Sequence, residues 1–149
     1  MNSYINHIKI KKLTPTAITP KRQTDGAAGY DLYIDSAEPI EIPPHSTVMV
    51  QSNIAFQIPD GFFGAVYARS GLSTKEGIRP ATCVSVIDSD YRGEIKVVLL
   101  NHSNQPQTLQ PGERVAQFVI TPVLTPAYEE VEELTDTTRG TGGFGSTGK

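Results

Sequence analysis

The sequence holds two carboxylates whose spacing suits proton transfer. The stretch VIDSDYRGEI, residues 86–95, places Asp88 and Asp90 between two strand-like pieces, with Tyr91 directly after them. Two nearby carboxylates can supply a general base and a metal contact. Acidic residues are also common in plain hairpin turns, so the pair alone leaves a catalytic and a structural interpretation open.

A second stretch is suited to binding an anion. YARSGLSTKEGI, residues 67–78, places Arg69, Ser70 and Gly71 at the start of the one segment that predicts a helix. Backbone amides, a hydroxyl and a guanidinium at such a point can surround a phosphate group. The plainer interpretation of Arg69 is a surface ion pair.

Two more polar residues stand in strand-like surroundings. AAGYDLY places Asp31 two residues after a glycine at a predicted strand start, and GERVAQFVI places Gln117 inside an apolar strand. A buried amide needs hydrogen-bond partners, which makes Gln117 a candidate for binding. Taken singly, the first is more often a turn acid and the second an edge-strand polar residue.

The tail RGTGGFGSTGK, residues 139–149, contains five of the thirteen glycines of the chain. Gly143 to Lys149 spells G-x-x-x-x-G-K, but a P-loop also needs a following Ser or Thr and a helix that starts there. Neither follows in this sequence, so we set the P-loop interpretation aside. Glycines still let backbone N–H groups approach an anion, and Arg139, Ser146 and Thr147 add donors. An RNA-binding tail and a plain solvated tail are the alternatives.

The elements that must position these residues are predicted to be strands. INHIKIKKL, TVMVQSNIAFQI, FFGAVYA, EIKVVLLNH and RVAQFVIT are rich in β-branched and aromatic residues, and turn pairs with Pro and Gly separate them. One short helix is predicted over 71–77. We therefore predict an all-β sandwich, jelly roll or barrel in a single domain of residues 1–149. The acidic stretch after Pro126 predicts a β body over about 1–126 and an arm over about 127–149.

Composition excludes several classes of function. Of the 149 residues, 38% are hydrophobic and 19% charged, and the net charge of −3 gives no broad basic surface for duplex nucleic acid. One cysteine, Cys83, cannot form an internal disulfide, and His7, His45 and His102 have no metal-ligand spacing. No apolar run predicts a membrane span and no secretory signal is recognisable, so an intracellular (cytoplasmic) location is expected.

Five of these stretches, taken in order, resemble the motifs of the trimeric deoxyuridine triphosphatases (dUTPases): AAGYDLY, ARSGLS, VIDSDYRG, GERVAQFVI and RGTGGFGSTG. The resemblance covers almost the whole chain. It implies a jelly-roll-like β subunit, a homotrimer with shared active sites, and Mg²⁺-assisted hydrolysis of dUTP to dUMP and pyrophosphate. That activity keeps uracil out of DNA and supplies dUMP for thymidylate synthesis.

The resemblance also implies roles for single residues on the phosphate side of the substrate. Asp88 would be the catalytic base that deprotonates the attacking water. Asp31 would help hold the metal–triphosphate through water. Residues implied to contact the phosphates or the water are Arg69, Ser70, Gly71 and Gln117.

The resemblance implies that a different set of residues contacts the nucleoside part of the substrate. Main-chain groups of the segment 82–88 would pair with the uracil edge, and Tyr91 would lie under the deoxyribose, where a ribose 2′-hydroxyl would clash. Lys96 stands at a ligand-contact position. The segment 82–88 includes three implied binding residues, which are Thr82, Val86 and Ile87.

The tail is implied to be a lid, flexible without ligand, that orders over the nucleotide of a neighbouring subunit. Phe144 would stack on the uracil, and the residues that close on the phosphates would be Arg139, Gly145, Ser146 and Thr147.

Two positions depart from the family pattern, and two alternative functions stay open at this point. Ser85 stands where a glycine is common and Thr82 where an asparagine is common, which concerns the detail of the uracil pocket. The related dCTP deaminases, or their bifunctional form, share the fold and would release ammonia from dCTP. A non-catalytic nucleotide-sensing module is the other alternative. The presence of Asp88 argues against it, because a module that only senses nucleotides needs no general base.

Overall fold

The computed structural model describes residues 7–144, so the predicted tail residues Gly145, Ser146 and Thr147 lie outside the described part of the chain. Within it the chain forms eleven short strands and one helical turn. The strands are β1 Lys9–Lys12, β2 Tyr30–Tyr33, β3 Ile40–Ile42, β4 Thr47–Gln51, β5 Ile54–Gln57, β6 Phe62–Tyr67, β7 Ile78–Pro80, β8 Ser85–Ile87, β9 Lys96–Asn101, β10 Gln107–Leu109 and β11 Arg114–Pro122.

The strands form four antiparallel sheets. The largest has the order β2-β11-β6-β8, a second has the order β4-β9-β7, and β1 with β5 and β3 with β10 form two-stranded sheets. Neighbours in the sheets are often far apart in sequence, so the sheets enclose a common core. The prediction of an all-β, jelly-roll-like body with one short helix is confirmed.

The core lies between the sheets, and its packing depends on one close contact between β6 and β11. Phe118 of β11 is buried and stacks on Phe56 of β5 with ring centroids 4.4 Å apart. A Cβ at Gly64 of β6 would lie 2.3 Å from the Phe118 ring, closer than any van der Waals contact. Glycine at this position therefore makes room for the largest buried side chain of the core.

Two details of the sequence prediction need correction. The strand-like run 47–58 is divided into β4 and β5, because Asn53 has a positive φ of 50° and its N–H donates to Glu94 Oε1 at 3.0 Å. The strands β3, β7 and β10 were not predicted, since three residues are too few to show a period. The helix predicted over 71–77 is confirmed as Leu72–Glu76 and ends at Gly77, whose φ of 73° favours glycine.

The chain leaves the body after the last strand. β11 ends at Pro122, and residues 123–144 contain no strand or helix. Leu124, Tyr128, Leu134 and Phe144 in this segment are almost fully exposed. The arm boundary near residue 126 stays a prediction, four residues beyond the last strand. No helix among residues 7–144 is long and apolar enough to cross a membrane.

Candidate functional site

Asp31 lies between two arginines at the end of the largest sheet. Arg69 Nε donates to Asp31 Oδ1 at 3.0 Å, and Arg114 Nη1 donates to Asp31 Oδ2 at 3.1 Å. The Asp31 side chain is 11% exposed, whereas those of Arg69 and Arg114 are 24% and 41% exposed. Two guanidinium groups share one carboxylate, so the cluster keeps a net positive charge that faces solvent.

The backbone explains why these residues meet. Asp31 of β2 is opposite Gln117 of β11, and the register shifts between Arg114 and Ala116, which brings Arg114 close to Asp31. Arg69 follows β6, and its Nη1 donates to the carbonyl of Arg114 at 2.9 Å. The cluster is therefore locked to three neighbouring strands.

Gln117 is held by a similar arrangement. Its Nε2 donates to the carbonyl of Ala68 at 2.8 Å, and a Cβ at Gly29 would lie 2.5 Å from its Oε1. The glycine therefore leaves the space that the amide oxygen occupies. The bond from Nε2 to the backbone fixes the orientation of the amide, and its acceptor atom, Oε1, can then accept from a ligand or a water molecule.

These residues line a small open cleft of about 210 Å³. A larger cavity of about 690 Å³ lies elsewhere, between apolar side chains such as Phe56, Phe118 and Ile120. The smaller cleft holds the charged groups, and charged donors are what an anionic substrate requires. Its lining residues are Gln23, Ala27, Gly29, Asp31, Arg69, Ser70, Gly71, Arg114 and Gln117.

The segment 82–88 forms an edge of the same sheet. Its strand β8 pairs with β6 on one side and is the last strand of the sheet. The Thr82 and Ser85 hydroxyls are 2.7 Å apart and share a hydrogen bond, so the two departures from the family pattern contact each other. Val86 is 62% exposed. An edge strand offers backbone donors and acceptors that a base can pair with.

Beyond β8 lie Tyr91 and Lys96. The Tyr91 hydroxyl donates to the carbonyl of Glu94 at 3.0 Å, and the Lys96 ammonium is 3.7 Å from Glu94 Oε2. Arg92 Nη1 donates to the carbonyl of Ser89 at 2.6 Å. Asp88 begins this turn, where its carbonyl accepts from the Tyr91 N–H.

The predicted site residues form two separate groups within one chain. Gln117 pairs with Tyr67, and Ile87 pairs with Gly64, three residues further along β6. With about 3.4 Å per residue along a strand and about 4.8 Å between strands, Ile87 is roughly 14 Å from Gln117. Asp88 follows Ile87, and it does not line the cleft that holds Arg69. One chain thus holds the charged cleft around Arg69 and the hairpin that contains Asp88 at different places.

The described part of the tail joins neither group. Arg139 Nε donates to the carbonyl of Gly142 at 2.9 Å within a local turn, and the Phe144 side chain is fully exposed. Within residues 7–144, Arg139 and Phe144 are thus both exposed and lie outside the cleft.

Sequence reasoning missed Arg114, which binds the same carboxylate as Arg69. The signal was a cation at the start of an otherwise apolar strand, three residues before Gln117. The irregular pairing that brings it to Asp31 has no local sequence pattern.

A cation can enter this positively charged cleft only together with an anionic ligand, because Asp31 is the one carboxylate among the described lining residues and two arginines already bind it. Among residues 7–144, no three His, Cys, Asp or Glu side chains come together in a way that could hold a metal ion. Both Asp31 oxygens already accept from arginines, so the residue suits contact with a hydrated Mg²⁺ through water rather than direct ligation. The donor set therefore fits an ion that arrives with substrate phosphates.

Comparison with known proteins gives a consistent result. A family model described as dUTPase matches residues 16–148. A deoxyuridine 5′-triphosphate nucleotidohydrolase of Nautilia profundicola is 49% identical over 142 residues, which are 95% of this chain and 99% of that protein. A Staphylococcus bacteriophage 80alpha dUTPase mutant, solved with dUpNHpp, has a TM-score of 0.88 at 27% identity over 97% of this chain and 99% of its own. A mutant dUTPase from phage phi11 of S. aureus, which coordinates a structural Mg(II) ion, has a TM-score of 0.78 at 25% identity over 86% of this chain and 98% of its own.

Proposed function

The chain belongs to the dUTPase family, and from this premise we propose how its own residues divide the reaction. It is a hydrolase that converts dUTP to dUMP and pyrophosphate. The observation that carries the assignment of the phosphate site is the Asp31–Arg69–Arg114 cluster, a positively charged cleft locked to the sheet.

The triphosphate binds in this cleft. Arg69 uses two of its three guanidinium nitrogens for Asp31 and for the Arg114 carbonyl, which leaves Nη2 to donate to a phosphate oxygen. Ser70 and Gly71 are exposed beside it and offer a hydroxyl and backbone amides. Gln117 Oε1 accepts from the attacking water and orients it. Phosphoryl chemistry of this kind depends on positioning and on spread positive charge more than on covalent help.

The hairpin group reads the nucleoside and supplies the base. The open edge of β8, with Thr82, Val86 and Ile87, pairs its backbone with the uracil, and Tyr91 lies under the deoxyribose. Lys96 contacts the ligand from β9, the next strand along the chain. Asp88 takes the proton of the water as it attacks the α-phosphate, which is the step that general-base catalysis accelerates.

The active site is completed between subunits of a homotrimer. The support is the separation of roughly 14 Å between the cleft and the hairpin, which follows from strand spacings. A cleft on one subunit facing the hairpin of another would bring Asp88 to the phosphates that Arg69 binds. The arm, whose apolar side chains are exposed, would close a third side. There Phe144 stacks on the base, while Arg139 and the outlying Gly145, Ser146 and Thr147 bind phosphate.

Magnesium belongs to the same proposal. When bound with the triphosphate, Mg²⁺ neutralises charge on the phosphate oxygens. Asp31 would hold the hydrated ion, while Arg69 and Arg114 keep its carboxylate in place. One related dUTPase was solved with dUpNHpp and another coordinates a structural Mg(II) ion, so a dUTP analogue and magnesium both occur within the family.

The test is a product analysis with a panel of triphosphates. Purified protein with Mg²⁺ is incubated with dUTP, dCTP, dTTP and UTP, and the nucleotides, pyrophosphate and ammonia are separated and measured. We expect dUMP and pyrophosphate from dUTP at a much higher rate than any product from the other three. Ammonia from dCTP would instead indicate a deaminase, and equal turnover of UTP would remove Tyr91 from its role.

A further inference from the structure

The ring of Tyr91 is folded back across the turn that follows Asp88. Its hydroxyl donates to the carbonyl of Glu94 at 3.0 Å, and its own N–H donates to the carbonyl of Asp88 at 3.2 Å. The side chain is 45% exposed, so few neighbouring groups hold the ring from outside. Its orientation therefore depends on the turn beneath it.

Gly93 is the part of this turn that the ring covers. A Cβ at Gly93 would lie 2.3 Å from Tyr91 Oη, 2.5 Å from Cζ and 2.9 Å from Cε2. These distances are shorter than van der Waals contact, and the three atoms nearest to the added carbon all belong to Tyr91. Gly93 has no positive φ, so alanine could adopt its backbone without strain. A side chain here would thus collide first with the Tyr91 ring.

We propose that Gly93 is a positioning residue that sets the selectivity for deoxyribose over ribose, acting through Tyr91. This inference rests on the proposed place of Tyr91 under the sugar. The absence of a side chain at position 93 lets the ring lie flat on the turn, with its hydroxyl on Glu94, at the height where it excludes a 2′-hydroxyl. A side chain at position 93 lifts the ring off the turn, breaks that hydrogen bond and opens the space that the 2′-hydroxyl needs.

The experiment compares Gly93→Ala with Gly26→Ala by steady-state kinetics on dUTP and UTP, together with thermal melting. Gly26 is a matched control, because a Cβ there meets nothing within 4 Å and its φ is not positive. We expect Gly93→Ala to lower the ratio of kcat/KM for dUTP to that for UTP roughly tenfold or more, the scale of a lost steric contact in a pocket. Its Tm should stay close to that of the control.

A double-mutant cycle then tests whether Gly93 acts through the Tyr91 ring. In a Tyr91→Ala background, Gly93→Ala should leave the dUTP/UTP ratio unchanged, because the ring through which it acts is gone. An unchanged ratio in the single variant, or an equal fall in both backgrounds, would overturn the inference. So would loss of the fold in Gly93→Ala, which would make the glycine structural. If Tyr91→Ala itself keeps the ratio, the proposed role of Tyr91 fails, and this outcome is distinct from a failure at Gly93 alone.

Discussion

The charged cleft and the C-terminal arm both contain residues that are predicted to bind phosphate. The body of the protein fixes the cleft residues in place but not those of the arm. In the cleft, Asp31, Arg69 and Gln117 each bond to other parts of the sheet. In the arm, residues 123–144 form no strand, and Phe144 is fully exposed. The cleft is preorganised, so its binding requires little ordering. In the proposed mechanism the arm would be ordered by the nucleotide that it binds, so its contribution would depend on the ligand being present.

The largest expected effect concerns Asp88, which lies in neither the cleft nor the arm. Effects in those two regions can be compared with it. Asp88→Asn keeps the shape of the side chain but cannot accept the proton of the attacking water. We expect kcat to fall about 10²–10⁴-fold, with nucleotide affinity changed only a few fold. Kinetics and equilibrium binding of a non-hydrolysable analogue measure the two quantities. A near-normal kcat would show that another residue is the general base, with Asp90 as the next candidate.

Removal of the tail tests whether the arm acts without supporting the fold. Deleting residues 139–149 should abolish most activity, because Arg139 and Phe144 are lost together. The melting temperature and the sedimentation of the proposed trimer should be unchanged, since the described tail residues 139–144 belong to no strand or helix. A lower Tm or a dissociated oligomer would make the tail structural, and unchanged kcat/KM would make it dispensable.

A substitution in the cleft should instead affect stability and activity together. Asp31→Asn removes the charge that Arg69 and Arg114 share, and hydrogen bonds to charged groups contribute about 1.5–3 kcal/mol. We expect a loss of unfolding free energy of this order and a fall in kcat/KM. Denaturant unfolding and kinetics measure both, with Asp60→Asn, an exposed turn acid, as the control. If activity fell while the free energy of unfolding stayed the same, the bonds of Asp31 would matter for function but not for stability. That result would contradict the contrast between the cleft and the arm.

A single aromatic residue should reproduce part of the tail's effect. Phe144→Ala removes the proposed stack on the uracil, and a base–aromatic stack contributes roughly 1–3 kcal/mol. We expect kcat/KM for dUTP to fall by the corresponding factor with no change in Tm, because the side chain is fully exposed. Phe144→Tyr keeps the stack and should keep most of the activity. An effect on Tm would place the ring in a structural contact.

The smallest expected effect concerns a carboxylate that is held as firmly as Asp31 but lies outside the cleft. Burial tends to raise the pKa of Asp35, yet hydrogen bonds from Thr14, Thr16 and Asn53, with the charge of Lys12, outweigh it and lower the pKa. A lowered pKa in the folded protein means that Asp35 stabilises it above the unfolded-state pKa of about 3.9, and that this stabilisation is lost as the pH falls through the folded-state pKa.

Thermal melts of the wild type and Asp35→Asn over a series of pH values check this sign. The difference in Tm should be full near neutral pH and should shrink on acidification below about pH 4. Activity at neutral pH should be unchanged. Asp25→Asn, an exposed acid, is the control, and a Tm difference that grows towards acid pH would contradict the assignment.

Local sequence patterns predicted the components of the site better than their arrangement. Asp31, Arg69 and Gln117 are candidates from their types and from the strand or turn around each, because those features are local, but their roles come from the resemblance to the family. Arg114 was missed because a register shift in β11 brings it to Asp31. The division of the run 47–58 depends on Asn53 and on its bond to Glu94, forty-one residues away. The separation of Asp88 from the cleft follows from pairing between distant strands, which no short pattern contains.

The close approach of Gly64 to Phe118 restricts how this protein can change. Any side chain at position 64 would overlap a ring that fills the centre of the core. Only a reduction of residue 118 would make room, and truncation of a buried Phe typically costs about 3–5 kcal/mol. A side chain at position 64 thus requires a smaller residue at position 118, whereas residue 118 can be truncated alone at that cost in stability. Redesign of the core, or drift within a lineage, would have to change position 118 before position 64 or together with it.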